Sequence, residues 1–358
     1  MNVLVIAVTG ASGLVGQRLL PLLTGDPAVD RVVALDVREP ALRSTKLSFH
    51  RVDIAGTDLR PVLEDVDVVV HLAGVVDPIP DEVLMARVNV EGTRRVLAAA
   101  AVVGVRKIVR VSSATVYGAW PNNAVPLTED LPLRPNAFSP AVQGAEVERL
   151  LSEWRAGRPD VCVTTLRSAT VVGPGAERLP ARIFLGRPPL RVRGAAMPVQ
   201  VVHVDDLASA LALVAAVDLP GVYNVAADGW LDADAARALV PSAAVPAFGE
   251  EVLERALART WSLGVGDVPP GIVPYLVHPW VVANDKLRAA GWTPRHSNEE
   301  AIAEAVRSLP PRRPVRTGAI VAAAGGAVVV AGVTGIRVGR RVRRRARARQ
   351  RTCVANPE

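Results

Sequence analysis

Residues 3–16 read VLVIAVTGASGLVG, an apolar, β-branched run that passes without a break into a glycine-rich turn. The run has the character of a strand buried on both faces. Gly10 permits a tight turn after it, Gly13 lets backbone approach a diphosphate, and Gly16 allows the following helix to pack closely. That helix begins within Ser12, Gly13, Leu14 and Val15, and its N-terminal amides and positive dipole end would face an anion. An acid follows at the matching distance. Asp36 ends the next apolar run, RVVALD from Arg31, 20 residues after Gly16. A carboxylate there accepts both ribose hydroxyls of a dinucleotide. The expected ligand is NAD. Arg38, whose guanidinium could accept a 2′-phosphate, keeps NADP as the lesser alternative.

Further apolar runs follow, namely LSFHRVD from Leu47, DVVVHLAG from Asp67, KIVRVSS from Lys107 and VCVTTLR from Val161. They alternate with helical spacing over residues 13–24, 81–103 and 142–156. Alternation of this kind predicts an α/β chain built on a Rossmann, doubly wound parallel sheet. The expected division is a dinucleotide-binding domain over 1–170, completed by strands returning from the C-terminal half, and a smaller α/β substrate lobe over 171–309. A basic linker (310–318), an apolar segment (319–336) and an Arg-rich tail (337–358) complete the chain.

Half of the 358 residues are apolar, which is enough for a sizeable core. Cys162 and Cys353 lie far apart, so no disulfide framework is expected. The N-terminus lacks a basic segment and a cleavage site, and the main body is expected in the cytoplasm. The net charge of +7 is unevenly spread: 13 arginines and one acid lie from Arg307 onward, leaving 29 basic and 34 acidic residues before it. The body is therefore acidic, and nucleic acid is not an expected partner.

At this point the chain resembles the extended short-chain dehydrogenase/reductases, the NAD-dependent epimerase/dehydratase family, over roughly residues 3–306. TGASGLVG at 9–16 looks like the family's cofactor turn. Asp53 and Ile54 sit where the family places an acid against the adenine. HLAG at 71–74, with Leu72, Ala73 and Gly74, resembles the loop beside the cofactor ribose, and NVEGT at 89–93 the helix whose Asn89 supports the active site. SSATVYG at 112–118, preceded by Val111, resembles the strand end carrying Ser112 and a catalytic Ser113. LRSATVVGPG from Leu166, VVHVDDLA from Val201, VYNVAADG from Val222 and NDKLRAAGWTP from Asn284 follow in the family's order. The resemblance implies an NAD cofactor, a nucleotide-diphosphate sugar as substrate, and homodimer pairing through helices at 81–103 and 142–156.

One station departs from the family. Its Tyr general acid/base is followed four residues later by a Lys on the same helix face, whose charge lowers the phenol's pKa. Aligned on Glu148, SPAVQGAEVERLL places Pro140 at the Tyr and Gly144 at the Lys. No Tyr occurs between Tyr117 and Tyr223, and no Lys between Lys107 and Lys286. Tyr117 becomes the candidate substitute acid beside Ser113. Two readings follow: an oxidoreductase, epimerase or dehydratase with a relocated acid/base, or a non-catalytic NAD-sensing or scaffold protein. A membrane-associated sterol-type dehydrogenase is a third, which an apolar pocket without a converging arginine pair would favour.

Arg182, Arg187, Arg191 and Arg193 are candidate diphosphate contacts, since guanidinium forks suit such a group. His203 with Asp205 and Asp206 is read as a domain junction and helix cap. No second group of His, Cys or acids accompanies them in sequence, so no metal site is expected. Residues 319–336 are uncharged but rich in Ala, Gly and Val, a marginal span. Arginines on both sides suggest association of 319–351 with a membrane surface rather than a crossing.

Overall fold

The computed structural model describes residues 3–176, 178–185, 190–240 and 247–309. The apolar segment at 319–336, the Arg-rich tail and Arg187 lie outside these described residues. Residues 1–310 form one compact unit.

The chain opens with strand β1 (Leu4–Thr9), helix α1 (Leu14–Gly25) and strands β2 (Val29–Asp36), β3 (Leu47–Arg51) and β4 (Val68–His71). Helix α2 (Glu82–Ala86) runs through a π-type turn, Arg87–Glu91, into α3 (Gly92–Val103). Strand β5 (Lys107–Ser113) leads to α4 (Ser139–Ala156), β6 (Cys162–Ser168) and β7 (Thr170–Val172). Next come α5 (Leu179–Phe184), β8 (Val201–His203), α6 (Val204–Ala216) and β9 (Gly221–Val225). Five helices close the chain: α7 (Ala233–Ala238), α8 (Glu250–Ser262), α9 (Pro274–Val277), α10 (Asp285–Ala289) and α11 (Asn298–Ser308).

Seven strands form one parallel sheet in the order β3-β2-β1-β4-β5-β6-β9, and β7 pairs with β8 in a second, two-stranded sheet. The chain first runs outward from β1 to β3, then crosses back to β4. Strand order therefore reverses between β1 and β4, which opens a crevice at their carboxyl ends. This is the doubly wound architecture expected from the alternating runs.

Successive residues of each strand face opposite sides. Ile6, Val8, Val70 and Val109 enter a core with Leu19, Leu20 and Leu23 of α1 and Leu207, Leu211 and Val214 of α6. Ala7, Val69 and Ile108 enter the other core, with Val96 and Leu97 of α3 and Val147, Leu150 and Leu151 of α4. Each such side chain removed from water contributes about 1.5–3 kcal/mol, so both helical layers are held to the sheet by its continuous apolar runs. Pro140 sits in the first turn of α4, where a missing N–H costs no hydrogen bond. Ser297 and Glu300 form a reciprocal capping box on α11.

A polar chain crosses between β1, β4 and α3. Thr93 donates to the Asn89 carbonyl at 2.6 Å, so its hydroxyl oxygen accepts from His71 Nε2 at 2.9 Å. His71 Nδ1 then accepts from Thr9, 2.7 Å away, whose oxygen takes the Ala73 amide. The ring is neutral, and burial, followed by the nearby Arg110 charge, holds its pKa well below 6.5. Below pH 6.5 the unfolded chain takes up a proton that the native ring refuses, so stability falls as pH drops through that value. The expected loss approaches about 1.4 kcal/mol per pH unit for each such histidine. Thermal melts across neutral to mildly acidic pH test this: Tm should decline below pH 6.5, and an unchanged Tm there would contradict the assignment.

Candidate functional site

The crevice holds a cavity of about 600 Å³ running across the carboxyl ends of β2, β1, β4 and β5. At Gly10, φ is +69°, and an added Cβ would lie 2.7 Å from the Ala73 nitrogen. At Gly16 it would lie 2.5 Å from the Ala11 carbonyl oxygen. The turn thus brings bare backbone against the β4 loop and the first turn of α1 against the turn's own carbonyls, leaving a cradle over the helix N-terminus that fits a diphosphate. Every residue of the sequence-based cofactor set lines this cavity except Ser12. Ser12 is buried behind it, donating its amide to Asp36 Oδ2 at 2.9 Å and its hydroxyl to the Arg38 carbonyl. The Arg38 amide donates to Asp36 Oδ1 at 3.0 Å. Asp36 is therefore fixed at the rim, with lone pairs left for hydroxyl donors.

Asn89 lies in the π-type turn, a backbone irregularity that re-aims its side chain. Its Oδ1 accepts the Val75 amide at 2.7 Å, while Nδ2 donates to the Val75 carbonyl at 3.0 Å and to Gln143 Oε1 at 2.9 Å. Asn89 ties the β4 loop to α4, a positioning role. Gln143, which lines the cavity, was not singled out in the sequence.

At the β5 end, Ser113 Oγ accepts from the Thr115 amide (3.2 Å) and hydroxyl (3.0 Å). Its own proton has no acceptor among the described residues and is available to a ligand in the cavity. Ser112 instead donates to Glu148 Oε1 at 2.6 Å. Glu148 is held by Arg167 in a buried pair at 2.7 Å. Arg167 also donates to the Tyr117 hydroxyl at 2.7 Å, and that hydroxyl donates to Asn224 Oδ1 at 2.9 Å. Tyr117 is only 2% exposed and is absent from the cavity lining. Burial raises its pKa, against the opposing effect of Arg167. Tyr117 is therefore a buried strut whose hydroxyl meets Arg167 and Asn224 rather than the cavity.

The α4 face toward the cavity presents Pro140, Gln143, Gly144 and Val147. None of the four has a titratable side chain. An added Cβ at Gly144 would lie 3.0 Å from Val116 Cγ1, so the helix packs closely on the segment after β5.

Beyond Ala169, Thr170 and Trp280, which line both spaces, lies a second cavity of about 510 Å³. Its walls are mostly apolar, with Leu190, Val192, Tyr275 and Leu276 among them, but Arg191 and Arg193 also line it. Arg182 does not line it and pairs with Asp267 at 3.1 Å. His203 caps α6, its Nδ1 accepting the Asp205 amide at 3.2 Å. Asp206 accepts the amides of Arg295 and His296, which ties the start of α6 to the segment before α11. Tertiary structure nevertheless adds partners that the sequence separates. His296 stacks on His203 at 3.9 Å, and Glu304 lies 3.6 Å from His203 Nε2. The expectation that no further His or acid accompanies His203 is thereby corrected. With Nδ1 accepting, a neutral His203 carries its proton on Nε2, which lies 3.6 Å from Glu304 and has no hydrogen-bond partner among the described residues.

Comparison with known proteins agrees with this architecture. The model of the NAD dependent epimerase/dehydratase family matches residues 6–226, and the chain belongs to that family. An uncharacterized protein of Mycobacterium tuberculosis is 30% identical over 266 residues, 70% of each chain. A UDP-glucose 4-epimerase of Mycolicibacterium smegmatis is 34% identical over 181 residues, 47% of this chain and 56% of that one. Among solved structures, a Thermus thermophilus UDP-glucose 4-epimerase in complex with NAD aligns with a TM-score of 0.63 and 25% identity, covering 85% of this chain and 98% of that one. MoeE5 in complex with UDP-glucose and NAD aligns with a TM-score of 0.65 and 25% identity, covering 85% and 97%.

Replacing Tyr117 with Phe should cost about 1–3 kcal/mol, because Asn224 and Arg167 each lose a buried partner. A lower Tm with unchanged ligand affinity in the pocket is the expected result. Unchanged Tm would refute the strut.

Proposed function

We propose that the protein binds NAD across the larger cavity and a nucleotide-diphosphate sugar in the smaller one, and that acid/base catalysis from α4 has been lost. The observation that carries this reading is Pro140 and Gly144 on the cavity face of α4. The glycine cradle would hold the diphosphate, Asp36 the adenosine ribose, and Asp53 and Ile54 the adenine side. NAD supplies hydride acceptance when bound. Ser113 is the remaining hydroxyl able to orient a substrate oxygen at that end. Asp36 favours the unphosphorylated ribose by repelling a 2′-phosphate. Arg191 and Arg193 line the second cavity, and guanidinium donors suit a nucleotide diphosphate, which favours this substrate over a sterol-type alcohol.

A phenol needs a nearby cation to act as a base at neutral pH, and the cavity face of α4 carries neither group. The protein is accordingly an NAD-holding member of its family with slow turnover or none, suited to sensing or scaffolding. Calorimetry should show NAD bound more tightly than NADP, and Asp36→Ala should erase most of that preference. Absence of dinucleotide binding would overturn the reading. Installing P140Y together with G144K should raise turnover of a UDP-hexose above that of the unmodified protein, read as reduced-nicotinamide absorbance or as epimer formation.

Exposed Val83, Leu84, Val102 and Val142 on α2, α3 and α4 support pairing of two copies through these helices. Among the described residues no helix is long and apolar enough to cross a membrane. The uncharged 319–336 segment with its flanking arginines supports surface association with anionic lipid. Flotation of the full chain with phosphatidylserine vesicles at low salt tests it; a wholly soluble protein would end that idea.

A further inference from the structure

Arg110 on β5 lines the larger cavity, and neither the glycine cradle nor the α4 face explains its presence there. Its Cα pairs with His71 across β4, and it shares a sheet face with Ser112. That face is the one α4 covers, through Ser112 and Glu148, and Ser112, Ser113 and Gly144 line the same cavity. Its Nε is shielded from solvent and has no hydrogen-bond partner. A terminal N–H donates to the carbonyl of the adjacent Val111. Among the described residues no carboxylate pairs with it. Glu148, which does favour its charged form, is already held by Arg167 and Ser112. Burial pushes its pKa down to about 10, so it remains a cation at neutral pH.

A guanidinium donor shielded from water without an acceptor is costly, and donors without acceptors are expected where a ligand completes the site. The cavity's order across the sheet identifies which part of the ligand arrives there. Asp36 on β2 stands at one end, the glycine turn after β1 in the middle, and β5 at the other. A dinucleotide with its adenosine at Asp36 and its diphosphate at the turn brings its second ribose to β5.

We infer that Arg110 is the cation at the β5 end of this cofactor site, donating from the cavity floor to the hydroxyls of the ribose that bears the nicotinamide. The charge reaches that ribose from a strand, beneath a helix whose cavity face carries none. This inference rests on the NAD reading above. It makes Arg110 a binding residue, and it predicts that the empty protein tolerates or gains from its loss.

Calorimetric titration of the full chain with NAD, ADP-ribose and ADP tests it, since ADP lacks the second ribose. In the unmodified protein ADP-ribose should bind about tenfold more tightly than ADP. Arg110→Met should weaken NAD and ADP-ribose about tenfold or more, leave ADP within about twofold, and keep or raise the ligand-free Tm. Arg110→Lys should retain most of the affinity. Equal affinities of ADP-ribose and ADP for the unmodified protein, or NAD affinity unchanged in Arg110→Met, would overturn the inference while leaving NAD binding standing. No binding of any of the three would overturn the NAD reading itself, and this inference with it.

Discussion

Two backbone approaches in the turn after β1 leave no room for a side chain, and the rest of the site is arranged around them. The Cβ positions at Gly10 and Gly16 fall inside contact distance of Ala73 and Ala11. The turn can therefore sit against the β4 loop while α1 stays pressed on the sheet. Because strand order reverses beside it, the same turn also faces open space. A constraint of packing thus creates the cradle, and Asp36 is set at its edge by the Ser12 and Arg38 amides.

Buried charge is handled in two different ways within one sheet. Glu148 and Arg167 are paired at 2.7 Å and extended by Ser112, Tyr117 and Asn224, so each buried donor finds an acceptor. This network braces α4 against β5, β6 and β9 and engages the Tyr117 hydroxyl. Arg110, close by on the same sheet face, has no such closure. A paired charge of this kind is structural, and losing one partner from it would cost several kcal/mol. An unpaired one at a cavity wall makes sense when a ligand supplies the missing acceptors. The contrast also explains why the face of α4 can be bare. The helix packs on the sheet and presents Gln143, which Asn89 holds from the π-type turn.

The order of strands and helices, the glycine turn and Asp36 were legible in the chain because they depend on local spacing. Apolar runs identify buried strands, and glycines three apart identify a turn whose neighbours lie a few residues away. The absence of titratable groups at Pro140 and Gly144 was equally legible, since i and i+4 share a helix face whatever surrounds it. Family resemblance covered these same stations.

Tertiary structure alone decided what the remaining polar residues do. Tyr117 reads as a free phenol until β9 brings Asn224 and β6 brings Arg167 to its hydroxyl. His203 has only its neighbours until the chain returns about 90 residues later with His296 and Glu304. Arg110 reads as an ordinary strand residue, and only the register with His71 and the cover of α4 bury it. Each of these roles is set by burial and by partners distant in sequence, quantities that spacing along the chain does not encode. The amino-acid order by itself determined where a dinucleotide could lie; folding determined which side chains are free to meet it.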